Sequence, residues 1–364
     1  MHLGLFNLMT KRDREKPTRE VYVEMREQVQ LAEECGFEIA WFAEHHFSNY
    51  GMCPSPLTMA TYMAGQTSRI KLGPAVIVAP LYEPLRMLED LAVLDQISDG
   101  RLVVGLGCGY QRHEFHKFGL DLDEARDRFV EYLDVVGQFF ESEPLSYDGK
   151  FLKIPETYFS VRPLQRSPET YVAGLVRDSV TQQHMAQRGY VSVNTAGAVP
   201  MATAIANRGG VEEVYRSVGL DPVTMPLAIQ QYVHITDDHN EALEAADNVR
   251  FIRRVVAAMR GGYVELDGSW LHEQVAEDES TLEEMLPTTY IGSPDEVAER
   301  MILQLERLRP SHLSCHMAIG GVPAKSVMRT IERFTAEVLP QVERHFGGLD
   351  RVGGESQAGA TAAE

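Results

Sequence analysis

Short apolar runs alternate with longer stretches of helical periodicity along nearly the whole chain, and nothing else in the sequence restricts the fold as strongly. Runs at 3–8, 38–43, 71–78, 101–106, 170–174, 190–193, 226–235 and 312–319 predict strands. Stretches at 19–35, 55–67, 84–97, 122–141, 178–188, 198–218, 239–260, 294–308 and 324–343 predict helices. Strands separated by helices imply parallel pairing, and this count of strands predicts an α/β chain closed as a (β/α)8 TIM barrel. A doubly wound open sheet is the alternative, because periodicity does not distinguish a closed sheet from an open one. The boundaries carry helix signals. Cys35-Gly36 reads as a helix end with glycine just beyond it. Thr18 reads as an N-cap, and so does Ser293 before Pro294-Asp295-Glu296.

Two stretches fit the alternation poorly. Residues 143–163, with proline, Tyr147-Asp148-Gly149 and aromatics, predict a short inserted hairpin. Residues 261–289 are acidic and irregular and carry Trp270; a loop of that length is expected to work as a lid. Residues 1–346 are expected to form one domain. The Gly-, Ala- and Glu-rich segment 347–364 is expected to be a disordered tail.

With 364 residues the chain is long enough for a large core. A net charge of −19 without a basic cluster argues against nucleic acid and anionic membranes as partners. Any phosphate-bearing ligand must then be held by a few arginines and helix N-termini. Cys35, Cys53, Cys108 and Cys315 form no CxxC pair and read as reduced thiols. The N-terminus reads as a strand rather than a signal peptide, and no apolar run reaches membrane-spanning length, so a cytoplasmic protein is expected.

Residues 41–47 read Trp-Phe-Ala-Glu-His-His-Phe. A strand that runs into Glu44, His45 and His46 places an acid and two near-neutral bases at the end where a barrel strand opens into a pocket. Histidines that merely satisfy buried polar groups are the competing reading. A metal would need further ligands. His113, His116, His312 and His316 are the candidates, but there is no HExxH helix, and no metal is expected. Gly105-Leu106-Gly107-Cys108-Gly109 resembles a phosphate loop only superficially, since Tyr110 to Glu114 do not start an apolar-periodic helix. Its glycines are expected to let a flat ligand or another backbone come close. Pro74 within Gly73-Pro74-Ala75-Val76 predicts a local bend. Arg126, and Arg177 with Ser179, stand near helix starts and are candidate anion ligands. Asp178 would repel an anion unless it points away or caps the helix.

Leu31-Ala32-Glu33-Glu34-Cys35-Gly36-Phe37, then Trp41 to Phe47, resemble the bacterial luciferase-like flavin monooxygenases. So do Leu88-Glu89-Asp90 and Leu94 to Arg101, the glycine-rich strand end, Phe118-Gly119 and Tyr290 to Pro294. The likeness is dense over about 31–120 and is greatest to the alkanal-oxidising branch. It implies a barrel, usually dimeric, as a homodimer or a heterodimer with a paralogue. It implies reduced FMN from a separate flavin reductase, and O2 added as a C4a-hydroperoxide that oxygenates a small organic substrate, with an aldehyde or ketone expected. His45 resembles the catalytic histidine, Glu44 a flavin-side neighbour, and Ala75-Val76 a non-proline cis peptide beside the flavin. Arg126 resembles a phosphate ligand, and 261–289 a mobile loop. Gly107-Cys108 departs from the branch's Cys-Arg, and Arg177 is expected to replace that lost charge. The alternatives are an F420-dependent dehydrogenase of the same superfamily and a non-catalytic flavin-binding subunit.

Overall fold

The computed structural model describes residues 1–174, 178–275 and 279–352. Its barrel strands are β1 (His2–Asn7), β2 (Ile39–Phe42), β3 in two pieces (Lys71–Pro74 and Ile77–Val78), β4 (Val104–Gly107), β5 (Thr170–Ala173), β6 (Val191–Thr195), β7 (Leu227–Ile235) and β8 (His312–His316). All pair in parallel. β1 sits between β2 and β8, with Gly4 opposite Ile39 and His2 opposite His312. β3 joins β2 through Lys71 and β4 through Ile77, which carries the pairing round to β8. The sheet therefore closes into the expected barrel, and the open sheet is set aside.

The helices are α1 (Thr18–Glu34), α2 (Pro56–Ala64), α3 (Pro84–Ile97), α4 (Arg112–Lys117), α5 (Ala125–Glu141), α6 (Ser179–Arg188), α7 (Met201–Ser217), α8 (His239–Gly261), α9 (Leu282–Met285), α10 (Pro294–Leu308), α11 (Ala324–Arg333) and α12 (Leu339–Phe346). None among the described residues is long and apolar enough to cross a membrane.

Strand β2 shows why the sequence closes this way. All four of its residues are buried, so both of its faces need apolar partners. Ile39 and Trp41 pack inside the barrel with Val103, Tyr171, Val191 and Ala228. Ala40 and Phe42 belong to the main core beneath the helices. Burying a side chain of that size stabilises by about 1.5–3 kcal/mol. Trp41 occupies so much of the interior that the neighbouring strands present glycine to it. A Cβ on Gly4 or Gly73 would lie 2.5 Å or 2.4 Å from its indole.

Several expectations need correction. The 71–78 strand is interrupted, because the Ala75–Val76 peptide is cis. Thr18 is the first helical residue of α1; the cap is Pro17, with no side-chain hydrogen bond. Ser293 does form a capping box with Glu296. The helix expected over 324–343 is broken by a π-turn at Phe334–Val338 before α12, where Pro340 has no N–H for the helical ladder. Arg112 to Lys117 do form a helix, short but with Phe115 buried. A strand at Tyr290–Gly292, read beforehand only as a motif, extends the sheet beside Val233–Ile235.

The insertion contains the expected hairpin, Leu145–Asp148 against Lys153–Thr157. Segment 261–289 is not irregular throughout. Leu266–Asp267 pairs with Trp270–Leu271, and a capping box at Thr281 starts α9. The Asn49 N–H donates to the Ser269 carbonyl at 2.9 Å, and the Leu271 N–H donates to Asn49 Oδ1 at 2.8 Å. Arg254 donates to Glu273 and Glu279, both at 2.8 Å, fastening the segment to α8. In the expected tail, Leu349–Arg351 forms a 3-10 turn and Val352 is buried; 353–364 lie outside the described residues.

Candidate active site at the barrel mouth

The chain leaves β2 through Ala43-Glu44-His45-His46, and the barrel turns each polar side chain onto a different partner. Glu44 is buried. Its carboxylate accepts from the Val78 N–H at 3.0 Å and the Tyr82 hydroxyl at 3.0 Å, and lies 2.9 Å from His46 Nε2. Glu44 thus ties the end of β2 to the second piece of β3, immediately beyond the cis peptide. Burial, then the Glu44 charge, push the Tyr82 phenol well above its ordinary range, which keeps it a neutral donor.

His45 faces a second carboxylate. Its Nδ1 lies 2.8 Å from Gln111 Nε2 and 3.4 Å from Glu114 Oε1. Glu114 is buried and accepts the His46 backbone N–H at 2.7 Å. The Tyr50 ring packs edge-on to His45 with centroids 4.5 Å apart, and Tyr110 lies at 6.0 Å. Burial pushes both phenols up. Gln111 Oε1 has no partner among the described residues. Turning that amide would exchange a donor for an acceptor at His45 Nδ1, which the Glu114 carboxylate also faces.

Gly105 serves an approach of backbone, and Gly107 makes room for the Val76 side chain. A Cβ on Gly105 would meet the Pro74 carbonyl at 1.9 Å, and one on Gly107 would meet Val76 at 2.5 Å. β4 can pass the bent β3 only because both positions lack side chains. Cys108 follows, half-buried, with its thiol pushed up to about 11 by burial; it is not a ready thiolate.

Arg126, in the first turn of α5, pairs with Asp178. Asp178 caps α6, accepting from the Thr181 N–H at 2.8 Å, the arrangement under which its charge does not oppose an anion outright. Ser179 is the exposed first residue of α6, and Thr181 Oγ1 in the same turn is buried without a partner among the described residues. Arg177 lies outside the described residues.

The histidines considered as metal ligands do not converge. His113 is half-buried beside Glu114, and burial lowers its pKa. His316 points into the barrel against Phe6 and Tyr232, its pKa lowered to about 4 by burial. His312 lies at the other end of the barrel, where His2, Glu169 and His312 are the one His/Glu group of ligand-like spacing among the described residues.

Sequence reasoning did not assign Glu114, Gln111, Tyr50 or Tyr82 to the site. Glu114 was visible within His113-Glu114-Phe115-His116, but only as a neighbour of candidate ligands. Its spacing from His45 along the chain conveys nothing until α4 folds back over the mouth.

His45 also lines a cavity of about 610 Å3 between the loop after β1, the loop after β2 and the hairpin of Leu266–Asp267 and Trp270–Leu271. Lys11, Arg14, Ser48, Met52 and Trp270 are among its other walls.

The model of the family described as luciferase-like monooxygenase matches residues 1–312. The protein y4vJ of Sinorhizobium fredii is 32% identical over 95% of this chain and 99% of its own. The oxygenase component of the flavin-dependent trigonelline monooxygenase of Acinetobacter baylyi is 24% identical over 83% of this chain and 85% of its own. Among solved structures, the oxygenating constituent of 3,6-diketocamphane monooxygenase from Pseudomonas putida, in complex with FMN, superposes with a TM-score of 0.75. It is 20% identical and covers 94% of this chain and 99% of that one. The coenzyme F420 dependent tetrahydromethanopterin reductase of Methanopyrus kandleri superposes with a TM-score of 0.65 at 19% identity, covering 94% and 99%. These two structures share the fold.

Proposed function

The chain belongs to the luciferase-like monooxygenase family, and on that premise we propose that it is the FMN-dependent oxygenase of a two-component system, fed with reduced flavin by a separate reductase. The observation that carries the reading is the pairing of His45 with Gln111 and buried Glu114 at the mouth of the barrel. Reduced FMN, when bound, supplies the electrons that activate O2. The flat edge formed by Ala75, Val76, Gly107 and Cys108 would hold its ring, and Glu44 would keep that edge in place from below. Arg126, Ser179 and the unpartnered Thr181 hydroxyl would receive its phosphate, with Arg177 beside them.

The residues of this chain do the rest. His45 holds or delivers a proton at its ring nitrogens. Glu114 holds the His46 backbone and sets a carboxylate 3.4 Å from His45 Nδ1. The lid hairpin, fastened through Asn49, limits water at the cavity beside His45. Two copies of this chain, or this chain with a paralogue, are the expected assembly, and an aldehyde or ketone is the expected substrate class.

The name of the Acinetobacter relative, the oxygenase component of a flavin-dependent monooxygenase, supports flavin chemistry with a separate reductase. The F420-dependent reading is tested directly. Under anaerobic titration, reduced FMN should bind more tightly than reduced F420. With a flavin reductase, NADH and O2, decanal should be oxidised in step with flavin turnover. Tighter binding of reduced F420, or flavin turnover that yields only hydrogen peroxide with every aldehyde and ketone tried, would defeat the proposal.

A further inference from the structure

The cavity that His45 shares with the lid is electrically unlike the rest of the molecule. It contains Lys11, Arg14 and Asp267, in a chain whose net charge is −19. Arg14 is already paired with Asp267 at 3.0 Å. Lys11 has no acidic partner among the described residues. Its ammonium lies 5.6 Å from the centre of the Trp270 ring, which Arg14 approaches at the same distance. Met52, Pro54, Tyr22 and the Trp270 face supply apolar wall on the remaining sides.

An ammonium with no acidic partner among the described residues, in a cavity with apolar walls, matches one kind of occupant: an apolar body ending in a carboxylate or similar anion. We propose that this cavity is an anion-selecting substrate subsite, in which Lys11 favours organic substrates carrying an anionic group while His45 faces the same space. Trp270, on the lid hairpin, then senses occupancy directly, since substrate lies between it and the loop after β2. The inference rests on the monooxygenase reading only for the word substrate; anion binding itself needs neither flavin nor O2.

Calorimetric titration of the flavin-free full chain with sodium decanoate and with decan-1-ol separates the two. Decanoate should bind roughly tenfold or more tightly than the alcohol, as a hydrogen bond to a charged group allows. Lys11→Gln should remove most of that preference, and Lys11→Arg should retain it. Tryptophan emission should report the same event. The chain has two tryptophans, Trp41 is buried in the barrel, and Trp270→Phe should abolish the decanoate-dependent change. Equal affinity for decanoate and decan-1-ol, or a preference unaltered in Lys11→Gln, would overturn the proposal. Decanoate binding without oxygenation of any aldehyde, the carboxylate-bearing 10-oxodecanoate included, would leave the anion site standing and remove the monooxygenase reading. Oxygenation of decanal without an anion preference would do the reverse.

Discussion

The two ends of the barrel carry the same kinds of side chain and put them to opposite uses. At the floor, His2 pairs with Glu38 and Lys71 with Glu169 at 3.3 Å, all half-exposed or nearly so. Above them the rings of His2, His312, Tyr171 and Trp41 pack in series, with centroids 4.9, 4.9 and 4.7 Å apart, and plug the barrel. At the mouth, Glu44 and Glu114 are buried, each beside one histidine and each accepting a backbone N–H. A cavity opens next to them. Residue type alone thus does not mark a site. A carboxylate and an imidazole become chemically useful where burial strengthens their interaction and space is left for a third party.

The contrast can be broken most sharply by paired substitutions. His45→Ala should lower coupled oxygenation by about 10²–10⁴-fold, the usual contribution of a positioned acid or base. His2→Ala at the floor should leave the rate of product formation near that of the parent. Equal losses from the two variants would erase the distinction between mouth and floor.

Stability should divide the carboxylates the same way. Glu44→Ala leaves His46, Tyr82 and the Val78 N–H without their acceptor in a buried setting, and should cost about 3–5 kcal/mol. Glu38→Ala breaks a solvent-exposed pair and should cost under about 1 kcal/mol. Denaturant midpoints at equal slope measure both, and a Glu38 effect as large as that of Glu44 would contradict the burial argument.

Acid should weaken both ends together, which bounds how far they differ. Burial lowers the pKa of His316, at the mouth, to about 4 and that of His312, at the floor, well below its ordinary 6.5. The unfolded chain then binds protons that the folded chain does not as pH falls from about 6.5 towards 4. Stability is therefore greatest above that window and declines through it, by up to about 3 kcal/mol for His316. Thermal midpoints between pH 7 and 5 should fall, and His316→Phe should flatten the slope. A slope unchanged in His316→Phe would mean that His316 is protonated in the folded state.

Much of the architecture was legible because it is written in local patterns. The alternation of apolar runs and helical stretches located all eight barrel strands. Gly36 and Ser293 marked helix ends through backbone conformation and capping, which act within a few residues. The Glu44-His45-His46 run stood out because apolar strands rarely end that way. Other features escaped because their cause is distant. Nothing beside Glu114 announces that it meets His45, and Gly107 is required by Val76 on the neighbouring strand. The hairpin at Leu266 to Leu271 looked irregular since its backbone is held by Asn49, more than two hundred residues earlier.

By itself, the sequence determined where the strands and helices lie, the likeness to the family and the Glu44-His45-His46 run at the strand end, because periodicity and local turns depend on neighbouring residues. Only the tertiary structure decided that Glu44 holds the end of β3, that Glu114 and Gln111 attend His45, that Asp178 engages Arg126, and that Lys11 and His45 line one cavity. Those pairings depend on burial and on the closure of the sheet. Both bring together residues far apart in the chain, and both set how strongly each charge is felt.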